Sequence, residues 1–132
     1  EYGLTPNILE ISFAQKDLEK RKGLFREKIK NTDDFDAIFF ATNYLAVNAL
    51  EFLQEEYPDY LQTKGFFSFD DVILFKLFNP SISAISQPLQ KIGEQLMELM
   101  LNKLKKKDDE DIIKKIELDC DIQYRNSSLP RT

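Results

Sequence analysis

Two short, unbroken apolar runs, AIFFA at 37–41 and GFFSF at 65–69, constrain this chain more than any other feature. A strand with one wet face alternates apolar and polar residues, whereas a strand covered on both faces reads as a continuous hydrophobic run, the habit of parallel sheets. Three more β-prone runs, ILEISF at 8–13, ISAIS at 82–86 and IIKKIEL at 112–118, alternate with longer stretches of helical periodicity. Alternating strands and helices predict an α/β chain with a three-layer, doubly wound, mostly parallel sheet. A length of 132 residues supports one hydrophobic core.

Between about 15 and 30, Leu18, Phe25 and Ile29 stand out among mostly charged residues, the pattern of a surface helix with one narrow buried stripe. The next helix, 43–56, is different. Ala46, Ala49, Leu50, Leu53 and Tyr57 form its stripe, and Leu45 and Phe52 widen it on the flank. An arc that broad exceeds what packing on one sheet requires and points to a second partner. Ser86-Gln87-Pro88 reads as a helix start, since proline suits the first helical position, and Leu89, Ile92, Leu96, Leu99 and Met100 mark a buried face running to about Leu104. The charged block 105–111 is a polar turn.

Composition narrows the chemistry. The chain has no histidine and one cysteine, Cys120, which excludes His-based triads, Cys-His pairs, zinc sites of the usual ligand set and internal disulfides. A net charge of −5 opposes phosphate-backbone binding by these residues. No apolar run is long enough to span a membrane, and EYGLTPNILE has neither the basic nor the apolar region of a signal peptide.

In open parallel sheets, ligands bind outside the carboxyl ends of the strands. The residues there are Phe13 at the end of the first run, Thr42 and Asn43 after the second, Asp70 and Asp71 after the third, and Gln87 after the fourth. An aromatic plane with hydroxyl, amide and carboxylate groups suits a polyhydroxylated ring. Asn43 and either aspartate serve equally well as helix N-caps, and Gln87 as simple helix entry. Adjacent residues in a chain point apart, so Asp70 and Asp71 make a poor acid/base or metal couple, and no catalytic residue, metal or cofactor is expected.

Four strings, DAIFFATNYLAVNAL (36–50), GFFSFDD (65–71), NPSISAISQPLQKIGEQLMELML (79–101) and LDCDIQYRNS (118–127), occur in an order and spacing that resemble the effector-binding core of lactose-repressor-type transcription regulators. That core is related to periplasmic sugar-binding proteins. The chain differs from the family pattern at Thr42-Asn43, where Asn-Asp is common, at Asn48, where glycine is, and near Asp119-Cys120, where a proline is.

The resemblance implies a carboxyl-terminal part of a two-lobed domain, with 1–86 and 121–132 in the second lobe and 87–120 crossing to the first. It implies a cytoplasmic, non-enzymatic homodimer that senses a sugar or sugar derivative, and that contacts DNA through an amino-terminal segment outside this chain and does not bind membranes. By the same resemblance Asp70, Gln87, Thr42, Asn43 and Phe13 contact the effector, and Leu45, Val47, Phe52, Leu74 and Phe78 form the subunit interface. A solute-binding protein of a sugar transporter shares the fold and is the alternative. In either case the apolar face of 88–104 would be covered by the first lobe.

Overall fold

The structure, a computed structural model, describes residues 3, 7–12, 17–30, 35–105 and 115–130. Its elements are α1 (Leu18–Ile29), β1 (Ala37–Phe40), α2 (Asn43–Glu56), α3 (Pro58–Thr63), β2 (Gly65–Phe69), a 3-10 turn at Ile73–Lys76, β3 (Ser83–Ser86), α4 (Leu89–Lys105), β4 (Asp121–Gln123) and a second 3-10 turn at Asn126–Ser128. The four strands form one sheet in the order β1-β2-β3-β4. The first three are parallel, with Phe39 beside Phe67 and Phe69 beside Ile85. β4 runs antiparallel to β3, with Asp121 opposite Ser86 and Gln123 opposite Ala84. The mostly parallel α/β sheet is the one the apolar runs predict.

Side chains alternate across the sheet, and the two faces differ. Phe40 and Phe66 point to one side with rings stacked 6.4 Å apart, and both are buried. This face holds the core with Ala46, Ala49, Leu50 and Leu53 of α2. Phe39 and Phe67 stack on the other side at 6.1 Å, but Phe39 is 59% exposed, so the second face is not closed over it.

The broad apolar arc of α2 is explained inside the chain. Asp17 caps α1 by accepting from the amides of Glu19 and Lys20 at 3.0 and 3.2 Å. The helix then brings Phe25 against both Phe40 and Phe52. Lys22–Glu55 at 2.9 Å and Arg26–Glu56 tie the outer rims of the two helices. The second partner of α2 is therefore α1, with Arg26 also lying over the Phe52 ring.

Two expected strands are not formed among the described residues. Residues 7–12 carry no strand, although ILEIS has strand composition, and residues 115–118 carry none either; Phe13 and 112–114 lie outside the described residues. Strand propensity expresses itself only where a ladder partner exists. β3 takes its partner three residues beyond the expected run, at Asp121–Gln123, because Arg125, Ser127 and Ser128 anchor the chain that follows.

That anchor is a set of hydroxyl bonds. Ser127 Oγ accepts from the Ser83 amide at 2.9 Å and donates to the Phe66 carbonyl at 2.6 Å, fully inside the protein. Ser83 Oγ meets Ser128 Oγ at 2.6 Å and accepts from the Arg125 amide at 2.7 Å. A polar tail thus satisfies the buried backbone at the start of β3. α4 contrasts with this: none of its residues is buried, and its apolar face of Leu89, Leu96 and Met100 is exposed.

Candidate functional site

The carboxyl ends of β1, β2 and β3 lie side by side, and each sends out polar residues. After β1, Thr42 is the N-cap of α2: its Oγ1 accepts from the Leu45 amide at 3.2 Å. The cap is Thr42 and not Asn43, which is the first residue of the helix and half-buried. A capping hydroxyl that accepts from the backbone keeps its own hydrogen to donate.

After β2 the chain turns sharply. Asp70 has φ 68, the only non-glycine positive φ among the described residues. This left-handed conformation is tolerated by aspartate and asparagine better than by other side-chain-bearing residues. It separates the directions of Asp70 and Asp71. The Gln87 amide, just past β3, donates from Nε2 to Asp70 Oδ1. The Asp71 carboxylate instead receives both terminal nitrogens of Arg125, at 2.8 and 2.6 Å. Arg125 also donates to the Ile82 carbonyl at 2.6 Å, and its side chain is 11% exposed against 18% for Asp71. The guanidinium holds the Asp71 carboxyl below the usual carboxylate range.

The structure thus joins Asp70 and Gln87 directly, with Thr42 and Asn43 at the end of the strand next to theirs. Phe13 lies outside the described residues. Among the described residues no group of three His, Cys, Asp or Glu is placed to hold a metal ion, and no helix is long and apolar enough to cross a membrane.

The expected subunit contacts divide. Phe52 is 1% exposed and packs edge-on to Phe25, so it belongs to the α1–α2 contact within the chain and is not available to a second copy. Leu45 lines the same α1-facing groove with Leu18, Phe25 and Ala49. The reason is the helix period: positions 45 and 52 share a face, and α1 covers it. Val47 and Phe78 are half-buried against the core, while Leu74 is 46% exposed beside Ile73 and Leu77.

Asp71, which the sequence offers as a possible cap, instead pairs with Arg125. Fifty-four residues separate them, and no local pattern signals such a contact. Ser127 was likewise hidden, because a serine in a polar tail looks like surface.

The arrangement of parallel strands, polar strand ends and an antiparallel return strand has known counterparts. Residues 1–128 match the model of the periplasmic binding protein-like domain family. The chain belongs to that family. No curated protein sequence matches it at a significant level. Among solved structures, this periplasmic binding protein-like chain is similar to a LacI family transcriptional regulator from Enterococcus faecium with bound ribose, at TM-score 0.70 and 17% identity over 89% of this chain and 42% of that one. It is similar to transcription regulator CcpA of Lactococcus lactis, at TM-score 0.64 and 19% identity over 86% and 40%. A third is the periplasmic binding protein/LacI transcriptional regulator from Alkaliphilus metalliredigens complexed with D-xylulofuranose, at TM-score 0.66 and 18% identity over 79% and 38%. At these identities the likeness is one of fold. The periplasmic binding protein-like chain spans about two-fifths of the length of these neighbours.

Proposed function

We propose that the chain is part of the effector-binding region of a LacI-type transcription regulator, with a sugar or sugar derivative as the effector. The observation that carries this reading is the meeting of Asp70 and Gln87 at the carboxyl ends of adjacent parallel strands. A carboxylate beside a primary amide offers acceptors and donors side by side, the pairing that vicinal hydroxyls require. Thr42 adds a hydroxyl with its hydrogen to give, and Asn43 an amide one residue on. Phe13 is assigned as the stacking ring. Two of the structural neighbours hold pentoses, ribose and D-xylulofuranose, which is the ligand chemistry these groups suit.

The regulator reading extends to assembly. Val47, Leu74 and Phe78 are assigned to a homodimer contact, 87–120 to the crossing into a first lobe, and DNA contact to a segment outside this chain. Such a protein transmits ligand binding by shifting the balance between lobe arrangements.

Calorimetry on the full-length protein with D-ribose and related pentoses tests the reading. Asp70→Ala is expected to weaken binding by ~1.5–3 kcal/mol, the cost of losing a charged hydrogen-bond partner. Unchanged affinity would remove Asp70 from the site, and no binding of any pentose or hexose would remove the sugar reading.

A further inference from the structure

Two connections join the sheet to the segment that leaves it. The outgoing one passes from β3 through Gln87 and Pro88 into α4, and the returning one enters β4 at Asp121. Their last sheet residues, Ser86 and Asp121, face each other across one ladder. The two strands of that rung are each tied to one of two consecutive aspartates: Asp70 takes the Gln87 amide just after β3, and Asp71 takes the Arg125 guanidinium two residues past the end of β4.

The two ties differ in kind. Asp71–Arg125 is bidentate, and it is reinforced by the Arg125 bond to the Ile82 carbonyl and by the Arg125 amide on Ser83 Oγ. It is built into the start of β3. Asp70–Gln87 is a single hydrogen bond made by a residue in the left-handed region, which sits at the level of the Ser86 rung because Phe69 pairs with Ile85. Beyond it, α4 has no buried residue to hold it to the sheet.

We propose that Asp70–Gln87 is a releasable fastener of the outgoing connection, setting the position of α4 relative to the sheet, while Asp71–Arg125 is the permanent anchor of the return. Gln87 is thus a positioning residue. Any group that takes over the Asp70 carboxylate acts on α4 without loosening β4. This holds whether or not the group is a sugar, because the tie is made by the chain alone.

Amide hydrogen exchange on the 132-residue chain tests the division. The Leu89 amide bonds the Gln87 carbonyl and the Ile92 amide bonds the Pro88 carbonyl, so both report on the outgoing connection. The Ser83 and Ser127 amides, bonded to Ser127 Oγ and the Ser81 carbonyl, report on the anchor. Gln87→Ala removes the donor. Asp70→Gly removes the acceptor while easing φ 68, so its fold is not put at risk. Each variant is expected to speed exchange at Leu89 and Ile92 by roughly tenfold or more, as loss of a charge-assisted bond implies, with Ser83 and Ser127 unchanged. The double variant should go no further than either single one. Unchanged exchange at Leu89 and Ile92, equal acceleration at Ser127, or additive effects in the double variant would each overturn the proposal.

Discussion

Arg125 holds both carboxylate oxygens of Asp71 from 54 residues away, at 2.8 and 2.6 Å, and so fastens the end of the chain to the turn that follows β2. Both side chains are mostly buried, and the remaining Arg125 capacity goes to a backbone carbonyl. Removing one partner leaves the other charged and poorly solvated. Arg125→Ala is expected to lower stability by about 2–3 kcal/mol in urea denaturation, more than the ~0–1 of an exposed ion pair.

The same pair sets an acid limit. Because Arg125 depresses the Asp71 carboxyl in the folded chain, the unfolded chain binds the proton more readily, and stability rises with pH across that interval. The contribution is fully present above the ordinary aspartate value of about 3.9 and is lost as pH falls from there through the lower folded value. The stability gap between the native chain and Asp71→Asn should therefore be constant from neutrality to about pH 5 and narrow at more acid pH. A gap that stays constant throughout would show that the charge is not what Arg125 recognises.

Ser127 satisfies two backbone groups with one hydroxyl, the Ser83 N–H and the Phe66 carbonyl. Ser127→Ala leaves both buried without a partner. At ~1–3 kcal/mol for each unsatisfied group, a loss of about 2–4 kcal/mol is expected by chemical denaturation. A loss under half a kcal/mol would mean that water replaces the hydroxyl.

Phe52 and Val47 lie on the same helix with different expected outcomes. Phe52→Ala opens a cavity between Phe25 and Tyr57 and is expected to cost about 3–5 kcal/mol in stability, without a specific effect on assembly. Val47→Asp in the full-length protein is expected to give monomers in sedimentation. A dimer that survives Val47→Asp would return Val47 to the intrachain core.

The exposed apolar face of α4 predicts association of the isolated chain. Leu89, Leu96 and Met100 lie in water on one helix with no residue of it buried. Light scattering should show a mass that grows with concentration, and Leu96→Glu with Met100→Lys should reduce it. A native chain that stays monodisperse and monomeric would show that this face is covered in solution.

How much was legible depended on whether the information was local. GFFSF appears as β2 with both ends as expected, and α2 spans 43–56, because an unbroken apolar run and a long amphipathic period each decide their own structure. ILEIS has equal β propensity but needs a neighbour, which periodicity cannot supply. β4 was invisible for the opposite reason: Asp-Ile-Gln is short and exposed, and it pairs because the residues after it are anchored. The site divides in the same way. Its residues could be placed at strand ends from the order of elements, but which aspartate meets Gln87 depends on a single positive φ at Asp70. Phe52 faces α1 and not a second copy, a distinction beyond a helix wheel, which shows the width of an apolar face and not the identity of what covers it.

The rung between Ser86 and Asp121 fixes the spacing of the two backbones where they cross the end of the sheet. Paired strands lie about 5 Å apart, so the backbone leaving at Ser86 and the backbone arriving at Asp121 pass side by side through one narrow crossing. The strand-end residues at 42, 43, 70 and 87 stand at the same end of the sheet as that crossing, so whatever binds among them sits beside both backbones at once.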